Sequence, residues 1–177
     1  MRLLKRGSWS TQYNAIQQQR DIHPLDVVEF KAELHHVEYD RPSKDELYFF
    51  HSDEDAPNYE ESLIWYEVCE TLAYSYSLDL YFEADRLDEL RKLITHINGH
   101  LMAGHFDFIP EENILIFRYA LLLQGGADIT SGQCAAILDM GPKIYATHHQ
   151  AFMLVANTYI SAEEALKIAI FDVKGRA

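Results

Sequence analysis

Residues 98–124 read NGHLMAGHFDFIPEENILIFRYALLLQ, and this stretch decides the fold. After Gly104, polar and aromatic side chains alternate up to Ile109, and residues 110–113 form a turn by composition. The run 114–123 that follows is apolar on both faces, which predicts a covered, central strand. We interpret the stretch as the end of a helix, a short strand, a tight turn and a long buried strand.

Two strongly patterned segments precede this hairpin. Apolar residues recur at helical spacing over residues 87–101, which predicts an amphipathic helix. Residues 72–82 have the period of two that is typical of a half-buried strand, and residues 63–68 are the predicted hairpin partner.

The rest of the chain supplies shorter elements. A helix is predicted over residues 25–35, and strands over 36–39 and 46–50. Capping-box patterns at Thr130 and Ser161 open two further helices, the first of which should kink or split at Gly141-Pro142. The predicted order is α-β-β-β-β-α-β-β-α-α, an α+β fold with one antiparallel sheet flanked by helices.

The charge distribution divides the chain into an arm and a body. Residues 1–20 contain four cations and no acid, and we expect a flexible basic N-terminal arm. Residues 21–177 are predicted to form a single α+β domain. Residues 21–85 contain 18 acids against three bases, and the whole chain has a net charge of −13. Because so acidic a body repels phosphate backbones, nucleic acid is not an expected partner.

Location and redox state follow from the same composition. No apolar run reaches the ~18 residues of a membrane helix, so no membrane association is expected. Cys69 and Cys134 are far apart in sequence, which argues against a disulfide framework and predicts two small core residues in a cytoplasmic protein.

Nine histidines raise the alternative of a metal-binding protein or metal-dependent enzyme. His96 and His100 have the i, i+4 spacing at which two imidazoles can share a zinc ion, and His105 follows. The glutamate that follows the first histidine in zincins is missing here, so a solvated helix face is the competing interpretation. An acidic loop around Asp53 and Asp55 lacks the calcium-loop pattern.

No motif for catalysis emerges. The chain has no GxSxG, P-loop, GxGxxG or cysteine–histidine constellation. The sequence therefore predicts no enzyme and no cofactor. Arg118, a lone cation in an apolar strand, is predicted either to pair with an acid on a neighbouring strand or to face a ligand.

Aromatic residues give the better indication of function. A sheet with helices on one side leaves its other face to be covered by a second subunit or a bound segment. The candidate partner-binding residues are Trp65, Tyr66, Tyr74, Tyr76 and Arg118. A homodimer or a protein partner is expected on this face.

Four segments together resemble the YbjN family of bacterial proteins. They are His23-Pro24-Leu25-Asp26, the helix of residues 87–101 with Gly104-His105-Phe106-Asp107-Phe108 after it, residues 117–123, and residues 161–166. The resemblance covers about residues 21–172; Gly141-Pro142 and the basic arm depart from it.

The resemblance implies a fold like that of type III secretion chaperones, often dimeric. It also implies a regulator of sensory transduction, and it carries no catalytic residues. The sequence thus predicts a cytoplasmic, non-enzymatic protein-binding or chaperone-like regulator.

Overall fold

The computed structural model describes residues 20–50 and 60–175, with side chains through residue 169. Within these residues the chain forms six strands and five α-helices. The strands are β1 (Glu38–Ser43), β2 (Glu46–Phe50), β3 (Glu61–Tyr66), β4 (Thr71–Leu78), β5 (His105–Ile109) and β6 (Ile114–Leu122). The helices are α1 (Pro24–Leu34), α2 (Leu87–Asn98), α3 (Ser131–Leu138), α4 (Met140–Asn157) and α5 (Ala162–Gly175). Residues 1–19 of the predicted N-terminal arm and residues 51–59, which contain the acidic loop, lie outside the described residues. Arg20, the last residue of the predicted arm, is described and donates to the carbonyl of Leu123 at 2.7 Å.

The strands form one antiparallel sheet in the order β1-β2-β3-β4-β6-β5. β6 lies between β4 and β5, so the run that is apolar on both faces is an interior strand as predicted. The α+β class, the antiparallel sheet and the order of the elements are confirmed.

Several boundaries differ from the sequence-based expectation. β1 begins later than predicted and continues through Arg41 and Pro42, because an edge strand tolerates a residue without an N–H. β4 ends at Leu78 rather than residue 82. α2 ends at Asn98, before the apolar stripe does.

The long C-terminal helix splits, as Gly141-Pro142 led us to expect. α3 ends at Leu138, and α4 begins at Met140 with Pro142 in its first turn. Proline is accepted there because its missing N–H would have no helical partner. Both predicted capping boxes form: Thr130 exchanges hydrogen bonds with Gln133, and Ser161 with Glu164.

The core lies between one face of the sheet and the helices. Leu72, Tyr74, Tyr76 and Phe117 are each no more than 1% exposed on that face. A methyl group at Gly141 would lie 2.6 Å from the Tyr76 ring, which shows how closely α4 packs on β4. Cys134 is buried in this core as predicted, whereas Cys69 is exposed in the turn after β3, contrary to prediction.

Two histidines on α4 give the fold a pH dependence. The His148 ring meets the Phe106 ring edge-on at 5.4 Å, and His149 stacks on Tyr145 at 4.2 Å. Burial lowers the pKa of both histidines from the ordinary value of 6.5, since the charged form is disfavoured away from water. In the unfolded chain both histidines bind a proton below about pH 6.5. In the folded chain they bind it only at a lower pH, so acid favours the unfolded chain.

We therefore expect the free energy of unfolding to be constant above pH 7 and to fall below pH 6.5, by up to about 1.4 kcal/mol per pH unit for each histidine. Urea denaturation at intervals between pH 7.5 and 5.5 measures this slope. The variant His148→Phe should reduce the slope while keeping an apolar ring against Phe106. An equal slope in that variant would show that His148 does not contribute.

Candidate functional site

The candidate site is the face of the sheet that points away from the helices. Strand alternation divides each strand into two sets, and strand pairing aligns these sets across the sheet. Tyr74 pairs with Tyr119 and with Leu63 on the helix side, whereas Ser75 pairs with Arg118 and with Ser62 on the other.

We call this second set the open face. Its central residues are Tyr48, Phe50, Ser62, Ile64, Tyr66, Ala73, Ser75, Ser77, His105, Asp107, Ile116, Arg118, Ala120 and Leu122, and its β1–β2 margin adds Glu38, Asp40 and Glu46.

All described helices pack on the opposite face. α1 lies over β1, where the Tyr39 hydroxyl donates to Glu29 and Glu33 of that helix at 3.0 Å each. Burial and these two hydrogen bonds raise the pKa of Tyr39 to about 12, so the hydroxyl stays a donor. α4 lies over β5, where the Phe106 and Phe152 rings are 4.9 Å apart. The open face is therefore uncovered within the described part of the chain.

The open face is more apolar than a solvated sheet face usually is. Antiparallel sheets with one wet face normally carry polar side chains there. Here Leu122 is 65% exposed, Phe50 54% and Tyr66 50%. Ile64 and Ile116 add apolar surface on the same side. Exposed apolar surface of this kind makes the open face a candidate interaction site.

A shallow depression lies in the middle of this surface. Its volume is ≈ 590 Å³, and Ala73, Ser75 and Ala120 form its floor. Tyr66 lies at one side and Arg118 at another. Small side chains on neighbouring strands leave this space, so a large side chain of a binding partner can enter it.

Charged groups of the open face differ in whether they have ion-pair partners. Arg118 lies 3.7 Å from Asp107 on the neighbouring strand, so the predicted cross-strand pairing is confirmed. Glu38, Asp40 and Glu46 form no ion pair with another described residue. The open face therefore carries unpaired negative charge near β1, whereas near β5 the charges of Arg118 and Asp107 compensate each other.

Both edges of the sheet discourage the addition of another strand. On β5, the Asn98 side chain accepts from the backbone N–H of Phe106 at 2.7 Å and donates to its carbonyl at 2.9 Å. These are the groups an added strand would need. On β1, Pro42 has no N–H to offer. Neither edge of the sheet is therefore well suited to pair with an added strand.

The structure separates the five predicted partner-binding residues into two groups. Tyr66 and Arg118 lie on the open face. Trp65, Tyr74 and Tyr76 lie on the helix side and are no more than 6% exposed. Trp65 contacts the His23 ring edge-on at 6.1 Å, so its burial rules out the exposed role considered from the sequence. Partner binding by Tyr66 and Arg118 stays a prediction.

The histidines of the metal alternative lie apart from this face or at its margin. His96 is exposed on α2 and His100 is exposed in the turn that follows it; His100 Nδ1 lies 2.8 Å from the His96 carbonyl oxygen. His105 begins β5 and pairs with Arg118. Within the described residues, no three histidine, cysteine, aspartate or glutamate side chains form a group that could hold a metal ion.

Sequence reasoning missed several side chains that tie elements of the fold together behind this site. Besides Asn98, the Asn113 amide pairs with both backbone groups of Phe82 at 3.0 and 2.9 Å. The buried Arg86 donates to carbonyls at the end of α4. An asparagine at the end of a helix and another in a turn were the available signals, but neither position identifies its partner.

Comparisons with known proteins give one family match and similarities to solved structures. The model of the family YbjN, described as "Putative bacterial sensory transduction regulator", matches residues 24–152. YbjN from E. coli, described as "a putative transcription regulator", is similar with a TM-score of 0.48 at 12% identity, over 86% of this chain and 92% of that chain. A chain of the ExsC–ExsE complex is similar with a TM-score of 0.47 at 13% identity, over 67% of this chain and 88% of that chain.

A search of curated proteins finds no match. In the described ranges, no helix combines the length and apolar character that crossing a bilayer requires.

Proposed function

Because the chain belongs to the YbjN family of bacterial proteins, we propose that it is a non-enzymatic regulatory protein that binds another polypeptide on the open face of its sheet. The observation that carries this proposal is the exposure of Leu122, Tyr66 and Phe50 on a face without a described helix. Covering those side chains removes apolar surface from water, which is the main driving force of association.

The shape of the open face supports a polypeptide partner. Its depression is wide and shallow, with Ala73 and Ala120 in the floor, and it suits one protruding apolar side chain. Glu38, Asp40 and Glu46 favour cations where the partner segment crosses the β1–β2 margin, away from the depression. The expected partner segment is therefore apolar with basic residues, lying across the strands.

Two observations favour binding over catalysis. Arg118 and Asp107, the charged pair beside the depression, are engaged with each other. Ala73, Ser75 and Ala120 line the depression beside this pair, and their short side chains offer shape rather than reactive groups at those positions. We also propose a cytoplasmic location, supported by the free thiols of Cys69 and Cys134.

The variant Ala120→Arg tests the proposal, because it fills the depression with a long cationic side chain. Ala135→Arg, at an exposed position of α3, is the matched control. Proteins retained from a lysate of the source bacterium by the wild type and the control, but not by Ala120→Arg, should be purified and titrated by calorimetry. We expect the dissociation constant to rise at least tenfold with Ala120→Arg, about 1.4 kcal/mol, and to be unchanged with Ala135→Arg.

Equal affinities for the two variants would contradict the proposal. The second proposed occupant of the open face is another copy of this chain, which would form the homodimer expected from the sequence. Sedimentation velocity distinguishes the two: a wild-type dimer that Ala120→Arg converts to a monomer would assign the face to a second copy rather than to another protein.

A further inference from the structure

We propose that the depression in the open face binds the carboxyl terminus of a partner polypeptide. The terminal carboxylate meets the side chains of Ser75, His105 and Arg118. The side chain of the same terminal residue is apolar and lies on Ala73 and Ala120 in the floor. The inference rests on the proposed function for the identity of the face, and it adds the chemical group that the depression receives.

Three side chains with hydrogen-bond donors form a row at one side of the depression, and all three line it. Arg118 on β6 pairs with Ser75 on β4 and with His105 on β5, so the three residues are direct cross-strand neighbours on the open face. We call them the donor row. A serine hydroxyl, a guanidinium and a neutral imidazole each have at least one donor. Because neighbouring strands lie about 4.8 Å apart, one carboxylate can accept from adjacent members of the row.

These donors are free within the described part of the chain. The Ser75 hydroxyl and the His105 ring form no hydrogen bond with another described residue. Arg118 has one ion-pair contact there, from Nη1 to Oδ2 of Asp107 at 3.7 Å, which is longer than a hydrogen bond. The other oxygen of Asp107 accepts from the Phe108 N–H at 2.9 Å. The guanidinium of Arg118, whose side chain is 43% exposed, therefore keeps N–H groups for a ligand.

The apolar floor lies beside the donor row at the spacing of a single residue. Ala73 pairs with Ala120, and this pair is two positions from the donor row on both strands. Two positions of a strand span about 6.6 Å, which matches the separation between the carboxylate and the tip of the side chain in one large apolar residue. Tyr66 and Leu122 provide exposed apolar surface beyond the floor. A chain terminus supplies both groups, whereas an internal acid needs a second residue for the apolar one.

Charge favours a carboxylate over a phosphate group. The net charge of the chain is −13, and Asp107 stands beside Arg118. The described lining of the depression contains a single guanidinium to oppose this negative charge. A doubly charged phosphate is repelled more strongly than a carboxylate with one charge. The geometry of a guanidinium also matches a carboxylate, which accepts two parallel hydrogen bonds.

The acidic margin of the open face gives the partner chain a direction. Glu38, Asp40 and Glu46 lie on β1 and β2, which are three or four strands away from Arg118 on β6. This distance is about 14–19 Å, and an extended chain covers it in about four to six residues. We therefore expect basic residues four to six positions before the partner's last residue, since opposite charges set the orientation of a bound segment.

Two small probes test the site in the full-length protein before the partner is known. N-acetyl-phenylalanine has the free carboxylate of a chain terminus, and N-acetyl-phenylalaninamide is the same molecule without that charge. Each probe is titrated into isotope-labelled protein, and the NMR shift of the Ala120 backbone N–H gives the dissociation constant. We expect the acid to bind about fivefold more tightly than the amide, because only the acid accepts charged hydrogen bonds.

Three variants assign this difference to the donor row, and their NMR spectra show that each is folded. Arg118→Gln should remove the preference for the acid. Asp107→Asn should increase the preference about twofold, because the competing carboxylate is lost while the amide oxygen can still accept from Phe108. Arg91→Gln is the matched control, since Arg91 is an exposed arginine on α2, and it should change nothing.

Three results would overturn the inference. Equal affinities of the acid and the amide would show that the depression does not recognise the carboxylate. The α-amide of N-acetyl-glutamate has a carboxylate only in its side chain, and equally tight binding of this compound would assign the donor row to an internal acid. Inorganic phosphate that displaces N-acetyl-phenylalanine at a lower concentration than acetate does would assign the row to a phosphate group.

The partner titration separates this inference from the proposed function. Removing the last residue of a partner identified with Ala120→Arg should weaken its binding about fivefold. If that partner binds Arg118→Gln as tightly as the wild type, the carboxyl-terminal site is wrong and the proposed function stands. If N-acetyl-phenylalanine binds as expected but Ala120→Arg loses no partner, the site stands and the proposed function is wrong.

Discussion

Replacing Gly104 by alanine should lower the free energy of unfolding by about 3 kcal/mol or more. Gly104 leads into β5 with a φ of +72°, a conformation that costs an L-residue about 1–2 kcal/mol. A methyl group there would also lie 2.3 Å from the tip of the buried Phe117 ring and 2.7 Å from the Arg118 carbonyl oxygen. Neither can move freely, because both belong to the interior strand β6. Urea denaturation followed by circular dichroism measures the loss.

A second glycine separates the cost of backbone strain from the cost of the close contact with Phe117 and Arg118. Gly125 has a φ of +77°, but nothing lies within 4 Å of the position that a methyl group would occupy, so Gly125→Ala reports the backbone strain alone, about 1–2 kcal/mol. Gly132, in the first turn of α3 with open space around it, should tolerate alanine without loss. If Gly104→Ala costs no more than Gly125→Ala, the close approach to Phe117 is not rigid and the prediction fails.

These two glycines show what a sequence can and cannot predict about a turn. The composition around each glycine predicted the end of a helix or strand. In the structure both glycines have a positive φ in a segment that connects two elements. The proximity of Gly104 to Phe117 arises from the pairing of β5 with β6 and from the rotamer of a ring 13 positions away. No local pattern contains that information.

The same distinction applies to the candidate site. The period of two in β4 predicted two faces and assigned the correct residues to each, because side-chain alternation is a local property. Large side chains such as Tyr74 were assigned to a partner surface, yet the helices cover them, since large apolar residues gain most from burial. The face that carries Ala73 and Ser75 is the one that no described helix covers.

Recognising the open face required the register of the whole sheet. Tyr66 reaches it from the end of β3 and Leu122 from the end of β6, and both pair with Thr71. Their shared location depends on three strands that are distant in sequence. Composition could predict that one face needs cover, but strand pairing decides which residues form it.

The largest loss from removing a single hydrogen-bonding side chain is expected at Arg86. Arg86 is 8% exposed, and its guanidinium donates from Nε to the carbonyl of Val155 at 3.0 Å and from Nη2 to that of Ile160 at 2.6 Å. Both carbonyls lie at or beyond the last turn of α4, where helical partners run out. One side chain from the start of α2 thus terminates α4 and holds the connection to α5.

Arg86→Ala should therefore lower the free energy of unfolding by about 2–4 kcal/mol, because two charged hydrogen bonds are lost and the Val155 carbonyl is left without its partner. Arg86→Lys should recover only part of this, since an ammonium cannot reproduce the two-pronged geometry. Arg91→Ala is the control: Arg91 is exposed on α2 and pairs with Asp88 at 3.0 Å, an interaction worth at most about 0.5 kcal/mol. Equal losses for Arg86→Ala and Arg91→Ala in urea denaturation would show that the α4–α5 connection does not depend on Arg86.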